Sequence, residues 1–182
     1  MTREQLAHVL RAAAQIASDP DILVVGSQAI LGSYQEAELP EVAWLSAEAD
    51  LAFFDAERGR QKADEVDGSI GELSLFHETH TYYAQGVDLE TAKLPDGWQQ
   101  RLVPFEPASA DPAHARCLDK HDLVISKLVA MREKDREFAE ALLKAELVDL
   151  DVLKERANAL SSVSPVVRKN ILSWLDAVQR RL

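Results

Sequence analysis

The sequence predicts an α+β fold, in which a small strand-containing half over residues 1–117 precedes a helical half over residues 118–182. Short apolar runs bounded by Gly, Pro and Asp occur only in the first half, and such runs are typical of strands. Beyond residue 118 the strand signal fades and the apolar residues recur at helical spacing. With 182 residues, 47% of them hydrophobic, the chain is long enough to bury one substantial core.

The first half begins with a helix and a buried strand. Thr2 is a candidate cap for an amphipathic helix over residues 4–17. The continuous apolar run ILVV, residues 22–25, predicts a strand that is buried on both faces. The following segment GSQAILGS predicts a turn into a helix of about two turns.

Three further strands are predicted before residue 118. An acidic strand covers residues 49–54, and a helical segment leads from it to a loop through Gly68 and Gly71. THTYYAQGV, residues 79–87, has strand composition, and we expect RLVPFE, residues 101–106, to pair beside it.

The second half predicts three helices, over residues 119–145, 149–160 and 165–181. Pro165 suits the first position of the last helix, directly after Ser164 as its cap. These helices would form a C-terminal subdomain that packs on the first half.

Composition excludes several classes of protein. No apolar stretch reaches the roughly 18–20 residues of a membrane helix, and the first residues lack a signal-peptide pattern. The single cysteine, Cys117, excludes an internal disulfide framework, so we expect a cytoplasmic protein with no membrane partner. The net charge of −11 argues against a broad nucleic-acid footprint but leaves a local basic groove open. For His77 and His80 zinc binding is not expected, because no Cys or further His has matching spacing. One of the two could contact a base or ribose, and we favour a hydrogen-bonded structural role.

The acidic strand carries the first candidate site. In the segment LSAEADLAFF, Glu48 and Asp50 are two residues apart and would share one face of a strand, whereas Leu51 and Phe53 would pack on the other. Adjacent carboxylates repel, and a divalent cation such as Mg²⁺ would offset that repulsion. The alternative is a strand end whose acids simply face water.

A Gly-Ser turn about 20 residues earlier supports the metal interpretation. Gly26 permits close approach of the backbone to a ligand, and Ser27 would begin a helix whose free N–H groups suit a phosphate. Such turns are common, so the signal lies in the combination of turn and acidic strand. One element would hold a triphosphate and the other its metal ions.

Basic residues of the helical half could complete the site. Lys127 falls within the apolar arc of its helix, where it needs an anion or must extend along its stem to solvent. Arg132, Lys134 and Arg136 could form a positive rim, or could be surface ion pairs with the acids between them. For Asp135 we favour an ion pair with Arg or Lys over a catalytic role.

Several segments together resemble a known family: VVGSQAILGS, SAEADL, DGSIGELSLFHETHTYYAQGVDLETA, LPDGWQQRLV and CLDKHDLVISKLVAMREKDREF. The chain is similar to bacterial nucleotidyltransferase-like proteins related to the AbiE-type (type IV) abortive-infection toxins and the MenT toxins. This resemblance implies a minimal nucleotidyltransferase fold, with a mixed sheet, flanking helices and a helical C-terminal part.

The resemblance implies roles for the candidate residues. Gly26 and Ser27 would contact nucleotide phosphates, and Glu48 and Asp50 would bind Mg²⁺ or Mn²⁺. Lys127 would contact the nucleotide from the helical part of the site. Arg132 is a further nucleotide-binding candidate, and Asp135 would belong to the same helical part.

The chain departs from the family pattern at three points. The first acid of the pair is Glu48 rather than Asp, and the arginine often found ahead of the pair is missing. A third carboxylate is not evident; Asp88 is the best candidate, with Glu90 behind it.

The resulting hypothesis is a metal-dependent nucleotidyltransferase that moves an NMP from an NTP to an acceptor hydroxyl. By analogy the acceptor is the 3′ end of a tRNA or other RNA, and the protein would be a toxin with an antitoxin partner. A protein or small-molecule acceptor stays open. The alternative is a catalytically inactive module that keeps the fold and binds a nucleotide or a protein.

Overall fold

A computed structural model describes residues 1–89 and 92–181 of the chain. The strands are β1 Asp21–Val24, β2 Glu48–Phe53, β3 Tyr83–Gly86, β4 Val103–Phe105 and β5 His114–Cys117. The α-helices are α1 Arg3–Ala17, α2 Glu41–Trp44, α3 Gly59–Ile70, α4 Leu75–His80, α5 Lys120–Ala130, α6 Glu133–Lys144, α7 Leu150–Asn158 and α8 Pro165–Gln179.

The five strands form one mixed sheet in the order β3-β2-β1-β5-β4. The central strand β1 is antiparallel to β2 and parallel to β5, while β3 is parallel to β2 and β4 antiparallel to β5. Ile22, Leu23 and Val24 are fully buried, which confirms the strand predicted from the run ILVV. The predicted α+β class, with a mixed sheet and flanking helices, is confirmed.

The edges of the sheet differ from the prediction. Residues 75–80 form α4, with Ser74 accepting the His77 N–H as cap, so only Tyr83–Gly86 remain as strand in the segment 79–87. The segment around β4 does not lie beside β3, because it pairs with β5 at the opposite edge. The strand β5 was missed, because HARC is short and only alternate residues of it are buried.

One of the predicted helices also needs correction. The segment predicted as one helix over residues 119–145 is two, since Met131 adopts a left-handed conformation with φ 52° and ends α5. The helix of about two turns predicted after Gly26 is present, as the 3-10 helix Ser27–Gly32. The start of α8 is as predicted, with Ser164 as cap and Pro165 in its first turn.

Helices cover the sheet and connect the two halves. α1 packs against α3, α3 packs against β2 and β3, and α5 contacts α6, α7, α8 and the 3-10 helix. One continuous cluster of buried apolar side chains runs through these elements. No helix in the described ranges combines the length and apolarity that crossing a bilayer requires.

Candidate functional site

The site is built where β1 ends beside β2. The Val25 N–H donates to the backbone carbonyl of Asp50 at 3.0 Å, which holds the end of β1 against the acidic strand. A Cβ atom placed on Gly26 would lie 1.5 Å from Oδ2 of Asp50. Position 26 must therefore be glycine if the Asp50 carboxylate is to keep its place. Ser27 follows as the first residue of the 3-10 helix and is half-buried.

The two acids of β2 converge, as predicted from their spacing. Their side chains are joined by a hydrogen bond, while Leu51 and Phe53 are buried on the opposite face. Burial and, next to it, the Glu48 carboxylate raise the pKa of Asp50 to about 7. In the described part of the chain, no Lys, Arg or His forms an ion pair with either acid.

Tyr83 fixes the outer acid of the pair. It lies opposite Glu48 in the β2–β3 register and donates its hydroxyl proton to Glu48 Oε2 at 3.0 Å. Burial and the hydrogen bond that Tyr83 donates to Glu48 raise the pKa of Tyr83 to about 12, so the phenol stays a donor. Sequence reasoning missed this residue, because the β2–β3 register that brings it to Glu48 cannot be read from local composition.

His77 supports Tyr83 from behind. The two rings lie 4.6 Å apart between centroids, and the Leu73 N–H donates to Nδ1 of His77 at 3.1 Å. His77 thus has the hydrogen-bonded structural position that the sequence favoured. Its place in α4 links that short helix to the acidic pair through Tyr83.

Lys127 faces the acidic pair from α5. Its side chain is only 14% exposed, so it does not extend along its stem into solvent. The Nζ atom lies 3.7 Å from Oδ1 of Asp135 and 4.8 Å from the ring centre of Phe138. Burial lowers the pKa of Lys127, and the charges of Asp135 and Asp50 oppose that shift.

Asp135 is an ion-pair partner, as favoured from the sequence. It is fully buried and accepts from Nε and Nη2 of Arg132 at 2.7 and 3.2 Å, a bidentate pair. This hydrogen bond raises the pKa of Arg132. The break at Met131 allows Arg132 to cap α6 and Asp135 to reach both basic side chains. Asp135 therefore positions Lys127 and Arg132.

These groups border a cleft of about 620 Å³. The predicted residues that line it are Gly26, Asp50, Asp88, Lys127 and Arg132. Glu48 and Asp135 do not line the cleft. Glu48 lies next to Asp50, which does, and Asp135 contacts Lys127 and Arg132. Glu90, the second candidate for a third carboxylate, lies outside the described residues.

The donor set suits a hard divalent cation. Within residues 1–89 and 92–181, no three His, Cys, Asp or Glu side chains group closely enough to hold a metal ion. Asp88 thus lines the cleft without forming a three-acid group with Glu48 and Asp50. Two carboxylates completed by phosphate oxygens and water are a usual set for Mg²⁺, and Mn²⁺ accepts the same oxygen ligands.

Comparison with known proteins points the same way as this geometry. A family model described as "Nucleotidyltransferase of unknown function (DUF6036)" matches residues 4–177, almost the whole chain. No curated protein and no solved structure matches the chain.

Proposed function

Since the chain belongs to this nucleotidyltransferase family, we propose that it transfers an NMP from an NTP to an acceptor hydroxyl with Mg²⁺ or Mn²⁺. One observation carries the proposal: Asp50, beside the Glu48 carboxylate, faces Lys127 and Arg132 across one cleft, and among the described residues neither acid forms an ion pair. This arrangement separates a place for metal ions from a place for phosphate charge.

Glu48 and Asp50 would hold the divalent cation. When bound, the cation supplies Lewis-acid activation of the acceptor hydroxyl and offsets the charge that develops on the α-phosphate. Asp50 must be ionised to act as a ligand, and its raised pKa places that ionisation near neutral pH. Tyr83 holds Glu48 so that both carboxylates point to the same side.

Lys127 and Arg132 would bind the phosphate chain of the NTP. Both lie across the cleft from Asp50, and Asp135 orients them by charged contacts at 3.7 and 2.7 Å. The acceptor oxygen forms a bond to the α-phosphorus as the bond to the bridging oxygen breaks. Pyrophosphate then leaves against these cations and the Gly26–Ser27 backbone, and the hydroxyl proton passes to water.

For the acceptor we propose, from the resemblance to AbiE-type and MenT toxins, the 3′ end of a tRNA or other RNA. The same resemblance supports a toxin role with an antitoxin protein, and a net charge of −11 suits a basic partner. The residues themselves leave protein and small-molecule hydroxyls open.

A second function has a specific observation in its favour. Asp135 already engages Arg132 with both oxygens, and the described residues form no three-acid group. Both features would suit a nucleotide-binding module without turnover. Calorimetry separates the two, since the module binds an NTP but forms no product.

The test is a transfer assay with α-labelled NTPs, Mg²⁺ or Mn²⁺, and total tRNA. Asp50→Ala should abolish label transfer, whereas the matched control Asp64→Ala, an exposed acid on α3, should keep it. Transfer by the Asp50 variant at the level of the unaltered protein would remove the proposed metal role.

A further inference from the structure

A second cavity, of about 410 Å³, adjoins the cleft where β2 and β3 end. Its apolar wall is formed by Phe53, Phe54, Val87 and Leu89. Val87 and Asp88 line both cavities, so the two spaces meet at the segment that follows β3. Apolar cavities with a few polar groups are the usual form of small-molecule sites.

The lining does not favour a phosphate. Just before α3, the N–H groups of Glu57 and Arg58 donate to Asp55 Oδ1, each at 3.0 Å, and the first N–H of the helix, that of Gly59, donates to the Asp55 carbonyl at 2.8 Å. Asp55 is already paired with Lys62 at 2.7 Å, and Glu57 and Asp88 bring two further carboxylates to a lining that contains the guanidinium of Arg60. An occupant without negative charge is therefore favoured.

Phe54 is placed to stack with a planar ring. The Arg116 guanidinium lies over the Phe54 ring at 3.9 Å and pairs with Asp21 at 3.6 Å, which supports the ring from one side. As far as the structure describes it, the cavity lining does not include Arg116. The ring thus has surface left to offer the cavity.

Phe54 also lies on the same face of the sheet as Asp50. Arg116 opposes Leu23, which opposes Ala52, and alternation along β2 places Asp50, Ala52 and Phe54 on one side. Four residues of strand separate Asp50 from Phe54 by about 13 Å. A ribose between the two positions would lie along Val87 and Asp88, which line both cavities.

We propose that this cavity binds the nucleobase of the NTP whose phosphates occupy the cleft. The ring stacks on Phe54, the ribose passes Asp88 at the junction, and Glu57 and Arg60 at the rim contact the base edge. The inference rests on the proposed function, because it needs the triphosphate to lie in the cleft.

The experiment compares two probes that share phosphates but differ in the base. Calorimetry with Mg²⁺ measures the affinity for inorganic tripolyphosphate and for the α,β-methylene analogues of the four NTPs. We expect Phe54→Leu to weaken binding of the tightest analogue about tenfold, the scale of one base–aromatic stack, and to leave tripolyphosphate binding unchanged.

Matched variants keep the result interpretable. Phe54→Tyr retains the ring and should restore the affinity, while Phe76→Leu, away from both cavities, should have no effect. If Phe54→Leu fails to fold, Ala56→Trp at an exposed position of the rim tests the same point by filling the cavity.

Three results would overturn the inference, and they differ from one another. Equal affinity of the Phe54 variants and the unaltered protein for the NTP analogue removes the base from this cavity. If the Phe54 variants bind the NTP analogue as tightly as the unaltered protein but transfer label more slowly, the cavity binds the acceptor instead. If neither tripolyphosphate nor any analogue binds the unaltered protein, the proposed function itself fails.

Discussion

Asp122 and Asp50 are both carboxylates withdrawn from water, but their surroundings differ. Asp122 is fully buried and accepts from Nε and Nη2 of Arg101 at 2.8 and 3.0 Å, with Nε of Arg156 at 3.4 Å. Asp50 is less buried, yet the charged group that affects it most is the Glu48 carboxylate. Burial raises the pKa of both, and Arg101 opposes the shift at Asp122, whereas Glu48 adds to it at Asp50.

The difference separates a structural acid, Asp122, from the acid for which we propose a function, Asp50. A carboxylate neutralised by fixed guanidinium groups joins elements of the fold, here α5, α7 and the segment that carries Arg101. A carboxylate held beside a second carboxylate does not stabilise the fold. It is available to bind a cation from solution. Burial alone would have indicated Asp122, the more buried of the two acids, as the functional one.

The largest expected effect is on the structural acid. Asp122→Ala leaves the Arg101 and Arg156 guanidinium groups without their shared partner, and should lower the free energy of unfolding by about 3–5 kcal/mol. Urea unfolding followed by circular dichroism measures it. Asp64→Ala, at an exposed position, should change stability by about 0.5 kcal/mol or less. If Asp122→Ala lowers the free energy of unfolding no more than Asp64→Ala does, the structural role assigned to Asp122 is contradicted.

The next effect is the pH dependence of metal binding at the functional acid. A cation displaces the proton of Asp50, whose pKa is about 7, so the affinity for Mn²⁺ should fall about tenfold for each pH unit below 7. Above about pH 8 the affinity should level off. Electron paramagnetic resonance of free Mn²⁺ gives the Kd at each pH, and a flat profile would contradict the role assigned to Asp50.

Removing the functional charge should stabilise the fold. The folded pKa of Asp50 lies above its unfolded value, so this group costs stability as pH rises from about 4 through 7. Without divalent cations, Asp50→Asn should therefore raise the free energy of unfolding at pH 8 by about 1 kcal/mol, or Tm by about 2–4 °C. At pH 4 the Tm values of the variant and the unaltered protein should differ little. If Asp50→Asn instead destabilises the protein at pH 8, Asp50 is a structural acid like Asp122.

The smallest expected effect concerns the support of the pair. Tyr83→Phe removes the hydrogen bond to Glu48 and should weaken Mn²⁺ binding about threefold to tenfold, since such a bond contributes about 1 kcal/mol. Tyr82→Phe removes a comparable bond, to His8, away from the acids and is the control. Equal Mn²⁺ affinity in both variants would show that Glu48 needs no support.

Sequence reasoning succeeded where the signal was local. The apolar run of β1, the alternation in β2 and the Ser164–Pro165 helix start each depend on neighbouring residues, and the structure contains all three. The convergence of Glu48 and Asp50 followed from the same alternation.

The strand pairings and the Tyr83 contact, which were not predicted, depend on distant contacts. β4 pairs with β5 rather than beside β3, and the short strand β5 is defined by its pairing with β1 and β4 more than by its own composition. Tyr83 meets Glu48 only through the β2–β3 register, and the cavity at Phe54 exists only because two strand ends and α3 meet. Contacts between segments that are distant in sequence cannot be predicted from the local composition of a single sequence.

The proposed mechanism requires a divalent cation held by Glu48 and Asp50. Crystals grown at pH 8 with Mn²⁺ and an α,β-methylene NTP would test this through anomalous scattering from the metal. We expect a peak between the two carboxylates that also contacts phosphate oxygens. A peak elsewhere, or none with the nucleotide bound, would contradict the metal-dependent mechanism.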